Sequence, residues 1–238
     1  MITRLIAIVI LVTSSALGQH FEVASVKPSA PGDPGMYVEW PPGRLSLRNV
    51  NLRHTIKVAF LLDDYRIAGG PKWLDDDGFD IEGKTAEAAT ADQKRAMLQV
   101  LLADRFHLQS HRETRMVAGY AVVIAKSGPK LPKPEHPERP SASGWGPTIA
   151  NGRNQTMEGF AQTLSASLQR PVVDETGIKD RFDFNLRWDA MVAPPVAGAE
   201  PGASVFAALQ EQLGLKLEAR HMPVEILVID RAEKPSAN

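Results

Sequence analysis

Apolar residues recur at helical spacing in several stretches, separated by turn-forming residues. Residues 52–62 and 157–168 each carry an apolar period near that of a helix. Thr90-Ala91-Asp92-Gln93 has the form of a capping box, in which the Thr90 side chain accepts the Gln93 N–H and the Gln93 side chain reaches back. Leu98, Leu101 and Leu102 then share one face, and Asp104 and Arg105 mark the polar end of that helix. Phe206, Leu209 and Leu213 form a further stripe, followed by Gly214 where a left-handed terminal residue is wanted.

Strands follow the last two helices at once. Phe106, Leu108 and Ser110 alternate with His107, Gln109 and His111, and Leu215 and Leu217 alternate with Lys216 and Glu218. Period-two alternation predicts a sheet with one face buried and one wet. Residues 21–24 predict a first strand, and residues 78–81 and 181–184 each close a hairpin. The fold class expected is α+β: two similar halves, each of helices packed on a mostly antiparallel sheet.

The halves share an order of elements. Phe79-Asp80-Ile81 corresponds to Phe182-Asp183-Phe184, each preceded by a helix and followed by another helix and two strands. Leu98, Leu102, Phe106 and Leu108 correspond to Leu209, Leu213, Leu215 and Leu217, and Val122-Val123-Ile124 to Leu227-Val228-Ile229. This pattern predicts an internal repeat. Between the halves, residues 127–147 hold six prolines and no hydrophobic period, so an extended linker is expected. Residues 189–202 read as a second, shorter loop. The expected organisation is a signal peptide at 1–18, a first half at 19–126, the linker at 127–147 and a second half at 148–238.

The signal peptide rests on Arg4, the unbroken apolar run at 5–12, and Ala16 and Gly18 in the small-x-small arrangement of a signal peptidase site. The run is less than half the ~20 residues a spanning helix needs. Cleavage after Gly18 and export to the periplasm or the extracellular space are therefore expected, with no stable membrane insertion afterwards.

Composition narrows the function. There is no cysteine, which excludes disulfides, thiol catalysis, iron–sulfur ligation and a lipidated N-terminal cysteine. The formal net charge is −1 over 238 residues, so no broad positive field is available for a nucleic-acid backbone. Nucleic acid is not an expected partner, and no cofactor or metal is expected.

Motifs with chemical potential have simpler readings. His107 and His111 would share a helix face, but on a strand they lie about 13 Å apart, too far for one metal. His54 sits alone in the first helix. Asp75-Asp76-Asp77-Gly78 lacks the alternate oxygen ligands and distant Glu of a calcium loop, and reads as a polar β-turn. No Gly-x-Ser-x-Gly elbow or Gly-Lys-Ser/Thr phosphate loop occurs. Asn154-Gln155-Thr156 fits a glycosylation sequon, but Thr156 is better placed as the N-cap of the helix at Met157. Gly69-Gly70-Pro71 reads as a tight bend before Trp73. With Tyr65 nearby, Tyr65, Gly69, Gly70, Pro71 and Trp73 form the candidate partner contact.

Several segments carry a resemblance. Residues 21–28, Gly69-Gly70-Pro71-Lys72-Trp73-Leu74, Phe79-Asp80-Ile81, Leu102-Ala103-Asp104-Arg105-Phe106, Tyr120-Ala121-Val122-Val123 and residues 170–177 are similar to the recurring segments of the soil-associated family of exported acidobacterial proteins. The match runs over nearly the whole chain after the leader. It departs at Gln169, where the family carries Gly before Arg-Pro-Val. The family brings no established activity. Some relatives place this domain behind a membrane metallopeptidase of the antibiotic-sensor type, which implies a sensing or partner-binding role outside the cytoplasm. Residues 157–231 also resemble, in pattern, the short N-terminal domains of secretins and TonB-type outer-membrane receptors, which bind other proteins.

The function expected is an exported, non-catalytic envelope module that binds a protein or a cell-wall-derived ligand. The alternative is an extracytoplasmic hydrolase of unfamiliar type, drawing on His54, Asp80, Asp174 and Asp183.

Overall fold

The computed structural model describes residues 20–30, 35–146, 148–188 and 203–235. The expected signal peptide and the expected loop at 189–202 lie outside the described residues. Among those described, five helices and eleven strands form an α+β fold with three mostly antiparallel sheets. The chain divides into two compact units. Of the described residues, the first unit comprises those within 20–62, 69–110 and 229–235, and the second those within 63–68 and 111–228.

The first unit is built on a sheet of strands β1 (Val23–Pro28), β2 (Tyr37–Glu39), β3 (Arg44–Asn51) and β5 (Gly78–Lys84), in the order β1-β5-β3-β2. All its pairings are antiparallel. Leu45, Leu47, Val26, Phe79 and Ile81 are buried, whereas their neighbours Arg44, Arg48, Lys27 and Lys84 are exposed. Helices α1 (Leu52–Phe60) and α3 (Ala91–Phe106) add Leu52, Ile56, Leu98, Leu102 and Phe106 to the buried set. The Phe79 and Phe106 rings meet edge to face at 5.1 Å.

Local chemistry fixes the helix ends. Asn51 caps α1 by accepting the His54 N–H at 2.8 Å. The expected capping box opens α3: Thr90 accepts the Gln93 N–H and Gln93 accepts the Thr90 N–H. Two expectations are corrected here. Phe106 and His107 are not in a strand. Phe106 is the last residue of α3, and His107 closes it at φ 47°, so the strand begins only at Gln109. A left-handed terminus offsets the register and leaves Phe106 and Leu108 two apart without a strand between them. The acidic stretch is not a β-turn but a short helix, α2 (Trp73–Asp76), which places the buried Leu74 under Gly70.

The second unit holds a sheet of order β10-β8-β7, from β7 (Ala142–Trp145), β8 (Ile149–Gln155) and β10 (Phe182–Arg187). Helix α4 (Met157–Leu168) begins where expected, with Thr156 accepting the Gly159 N–H at 3.1 Å. Phe160 packs edge to face on Phe182 and Phe184 at 5.8 and 4.8 Å. Helix α5 (Ala203–Leu213) brings Val205, Ala208 and Leu209 to the same core. A third sheet has the order β4-β11-β6-β9, from β4 (Ile67–Gly69), β6 (Gln109–Ile124), β9 (Val172–Asp174) and β11 (Leu215–Arg231). The two strands expected after each late helix are single long strands, β6 of 16 residues and β11 of 17.

Of the expected linker, residues 127–146 lie in the second unit, and part of them is strand β7. The Pro132 carbonyl accepts the Asp183 N–H at 3.0 Å, and the Asp183 side chain accepts the Glu135 N–H at 2.9 Å. Asn154 Nδ2 donates to the Pro137 and Arg139 carbonyls, and Gln155 Nε2 donates to Ser141 and Ala142. Proline cannot donate a backbone bond, but its carbonyl accepts, so a Pro-rich segment can still be strapped down.

Two stretches of the chain repeat one order of elements: β2-β3-α1-β4-β5-α3-β6, with α2 inserted, and β7-β8-α4-β9-β10-α5-β11. Left-handed residues fall at matching places. Asn49, Leu61 and His107 mark the bulge, the end of α1 and the end of α3; Asn154, Gln169 and Gly214 mark the bulge and the ends of α4 and α5.

Candidate functional site

The candidate site is the wet face of the first sheet and its β2 edge. Pairing register places Tyr37 opposite Arg48 and Glu39 opposite Ser46. These four side chains line a concavity of about 250 Å3. Ser46 lies opposite Glu82 on the next strand and donates to Glu82 Oε1 at 2.6 Å, with Arg44 3.5 Å from the same carboxylate. Among the described residues, strand β2 ends the sheet and no further strand pairs its outer edge. Tyr37 is 55% exposed and the preceding Met36 49%, and Arg48 opposite Tyr37 is exposed as well. Sequence reading missed these residues. Their signal was present: alternation on both sides of the Pro41-Pro42-Gly43 turn, with Val38, Leu45 and Leu47 on the other face.

A larger concavity, about 390 Å3, lies between β1 and α3 of the first unit and is lined by His20, Phe21, Glu22, Met97, Asp104 and Arg105 among others. His20 and Asp104 stand 3.9 Å apart there, both well exposed. That is an ion-pair distance beyond hydrogen-bond reach.

The candidate partner contact is placed as follows. Tyr65 lies in a short 3-10 turn, Asp64–Arg66, of the second unit, where burial and the Asp63 charge hold its hydroxyl above the ordinary tyrosine range. Gly69, Gly70, Pro71 and Trp73 belong to the first unit. Gly69 and Gly70 adopt φ of 74° and 83°, and a β-carbon on Gly70 would come within 2.2 Å of Leu74. Trp73 is half-buried: its ring meets Phe79 at 6.2 Å, and the Lys234 ammonium, paired with Asp77, sits 5.8 Å from the ring centre.

The four groups named for a hydrolase are divided between the units, and the three aspartates hold backbone. Asp80 accepts the Ser29 hydroxyl at 2.7 Å and the Asn49 N–H at 2.9 Å. Asp183 accepts the Glu135 and Asn154 N–H groups, which hold its carboxyl below the usual carboxylate range. Asp174 accepts the Thr176 N–H and hydroxyl in a side-chain turn. His54 lies in the first turn of α1. The sequon asparagine is also structural: Asn154 is buried, and its amide nitrogen donates to two carbonyls.

Among the described residues, no three His, Asp or Glu side chains gather to hold a metal ion. No helix there is long and apolar enough to cross a membrane. His107 stands 3.9 Å from Glu233 in the first unit, and His111 lies 3.8 Å from Glu113 in the second.

Residues 53–232 match the family described as a protein of unknown function, DUF3738. The chain belongs to that family. No curated protein and no solved structure matches it. The DUF3738 match begins inside α1 and ends just past β11, so it takes in both element series except β2 and β3. The candidate site therefore lies at residues 37–48, N-terminal to the matched span.

Proposed function

We propose that this DUF3738 protein is an exported, non-catalytic envelope module that binds a protein or a cell-wall-derived ligand at the wet face and β2 edge of its first sheet. The observation that carries this reading is exposed Tyr37 on the edge strand β2 lying opposite exposed Arg48 of β3, with Glu39 of the same edge strand opposite Ser46. Aromatic and Arg side chains are the common anchors of binding surfaces, and an edge strand offers backbone donors and acceptors. The hydrolase reading is weakened because Asp80, Asp174 and Asp183 each clamp backbone or hydroxyl groups of the fold. A role in sensing fits export and a binding surface without chemistry.

We also infer that the two element series arose by duplication. The support is residue-level: Arg48-Asn49-Val50-Asn51-Leu52 and Arg153-Asn154-Gln155-Thr156-Met157 each run through a bulge into a capped helix, and each bulge is held by an aspartate.

Binding tests the reading directly. The mature chain is titrated with solubilised peptidoglycan fragments, and separately presented to an envelope extract followed by crosslinking. Saturable binding that Tyr37→Ala and Arg48→Ala weaken at least tenfold supports it. Turnover of any of these ligands, or binding unchanged in both variants, contradicts it.

A further inference from the structure

The four side chains that line the first-sheet concavity differ in what each can hold. Tyr37 and Glu39 of β2 stand opposite Arg48 and Ser46 of β3, so they converge from two neighbouring strands. Alternate residues of a strand lie roughly 7 Å apart and opposite residues roughly 5 Å, close enough to surround one small molecule. The volume, about 250 Å3, falls below the roughly 300–1,000 Å3 of pockets that take drug-sized ligands, which limits the occupant to one compact unit.

Glu82 is engaged by Arg44 and the Ser46 hydroxyl, whereas Arg48 and Glu39 have no ion-pair partner among the described residues. Arg48 therefore presents the planar fork of donors that matches a carboxylate. Glu39 accepts from hydroxyl or amide donors, and the buried Ser46, which gives its proton to Glu82, has an acceptor lone pair left. Tyr37, more than half exposed, adds a flat apolar ring with a hydroxyl at its tip. The set asks for one carboxylate, several O–H or N–H donors and an apolar C–H face. Strand β3 lies between β2 and β5, so its backbone groups are taken by the two ladders and recognition on this face falls to side chains. An extended peptide is read through its backbone at a strand edge. A sugar ring, with hydroxyls on its rim and C–H groups on its face, suits a platform of side chains. The second sheet is an internal comparison. Its register sets Ala142 opposite Arg153 and Gly144 opposite Asn151, where the first sheet has Tyr37 opposite Arg48 and Glu39 opposite Ser46. It keeps the arginine and has neither the ring nor the carboxylate.

We propose that the first-sheet concavity binds a single carboxylate-bearing sugar unit, with its carboxylate on Arg48, its hydroxyl or amide donors on Glu39 and Ser46, and its C–H face on the Tyr37 ring. This rests on the binding reading above and narrows the ligand to the glycan part of a cell wall.

The test is an NMR titration of the isotope-labelled full chain with three probes: N-acetylmuramic acid, N-acetylglucosamine (the same ring without the lactyl carboxylate) and the dipeptide alanyl-alanine. The expected result is saturable shifts in Tyr37–Glu39 and Arg44–Asn51, one site per chain, with N-acetylmuramic acid. N-acetylglucosamine should bind about fivefold more weakly, the worth of one exposed ion pair. Arg48→Gln should bring the two sugars to equal affinity, and Tyr37→Ala should weaken both together. Variant spectra that match wild type away from these strands separate loss of sugar from loss of folding. Equal affinity of the two sugars for wild type, or a preference that survives Arg48→Gln, overturns the carboxylate contact. Shifts centred on Ala142–Trp145 overturn the placement. If only the dipeptide or only a protein from an envelope extract shifts Tyr37–Glu39, the sugar class is overturned and the binding reading stands. If none of these shifts Tyr37–Glu39, both fall.

Discussion

The Asn154 backbone N–H donates to Asp183 Oδ1 at 2.6 Å, across a bulge where Arg153 and Asn154 of β8 face one residue of β10. Asn49 and Asp80 repeat the arrangement at 2.9 Å between β3 and β5. In both, the left-handed asparagine turns its amide out of the ladder, and the aspartate supplies the acceptor that the partner strand cannot. In the second unit the same carboxylate also takes the Glu135 amide and so pins the Pro-rich segment.

Asp183 therefore carries a pH dependence. The Glu135 and Asn154 amides hold its carboxyl below the usual carboxylate range. A group whose folded pKa is depressed contributes stability that is present above its unfolded value, roughly 4, and lost as pH falls through the folded value. Chemical denaturation of wild type and Asp183→Asn at neutral pH and at a pH below that range should show the gap between them closing in acid. A gap that stays constant with pH removes the carboxylate charge from the account.

Gln169 ends α4 at φ 51°, in the left-handed region that favours glycine. A non-glycine side chain in this region costs about 1 kcal/mol. Gln169→Gly should raise stability by ~1 kcal/mol, read as a higher denaturation midpoint at unchanged slope. A lower midpoint would mean that the Gln169 side chain, which donates to the Ala166 carbonyl, outweighs the backbone cost.

Gly214 is the opposite case. It adopts φ 63°, and a β-carbon there would stand 1.9 Å from the Gly128 carbonyl oxygen and 3.2 Å from the Lys130 nitrogen, which donates to the Leu213 carbonyl. Gly214→Ala should cost on the order of 3 kcal/mol or more, or abolish soluble expression. A loss below ~1 kcal/mol would show that residues 128–130 move away freely.

Arg48 separates binding from folding. It is exposed on the wet face of β3, so Arg48→Ala should change stability by no more than ~0.5 kcal/mol. The same variant should lose ligand in the titration described above. Loss of stability in step with loss of binding would make Arg48 a structural residue.

The legible parts of the sequence were those set by neighbours in the chain. The Thr90 capping box, the Thr156 cap, the Leu213-Gly214 terminus and the aliphatic stripes all stand as written, because capping and periodicity act within a few residues. Phe106 and His107 misled because a left-handed residue between two apolar ones imitates strand alternation. The Pro-rich stretch read as an extended linker because its partners, Asp183, Asn154 and Gln155, lie beyond the reach of local pattern. The candidate site was missed for a different reason. Tyr37, Glu39, Ser46 and Arg48 form no motif, and only the β2–β3 register brings them to one face.

Amide hydrogen exchange across the chain, with and without solubilised peptidoglycan fragments or an enriched envelope partner, tests the binding claim most directly. The account predicts new protection concentrated in Tyr37–Glu39 and Arg44–Asn51, abolished by Tyr37→Ala, with the ligand recovered intact. Protection confined to the concavity around His20, Asp104 and Arg105, or release of a cleaved product, would contradict it.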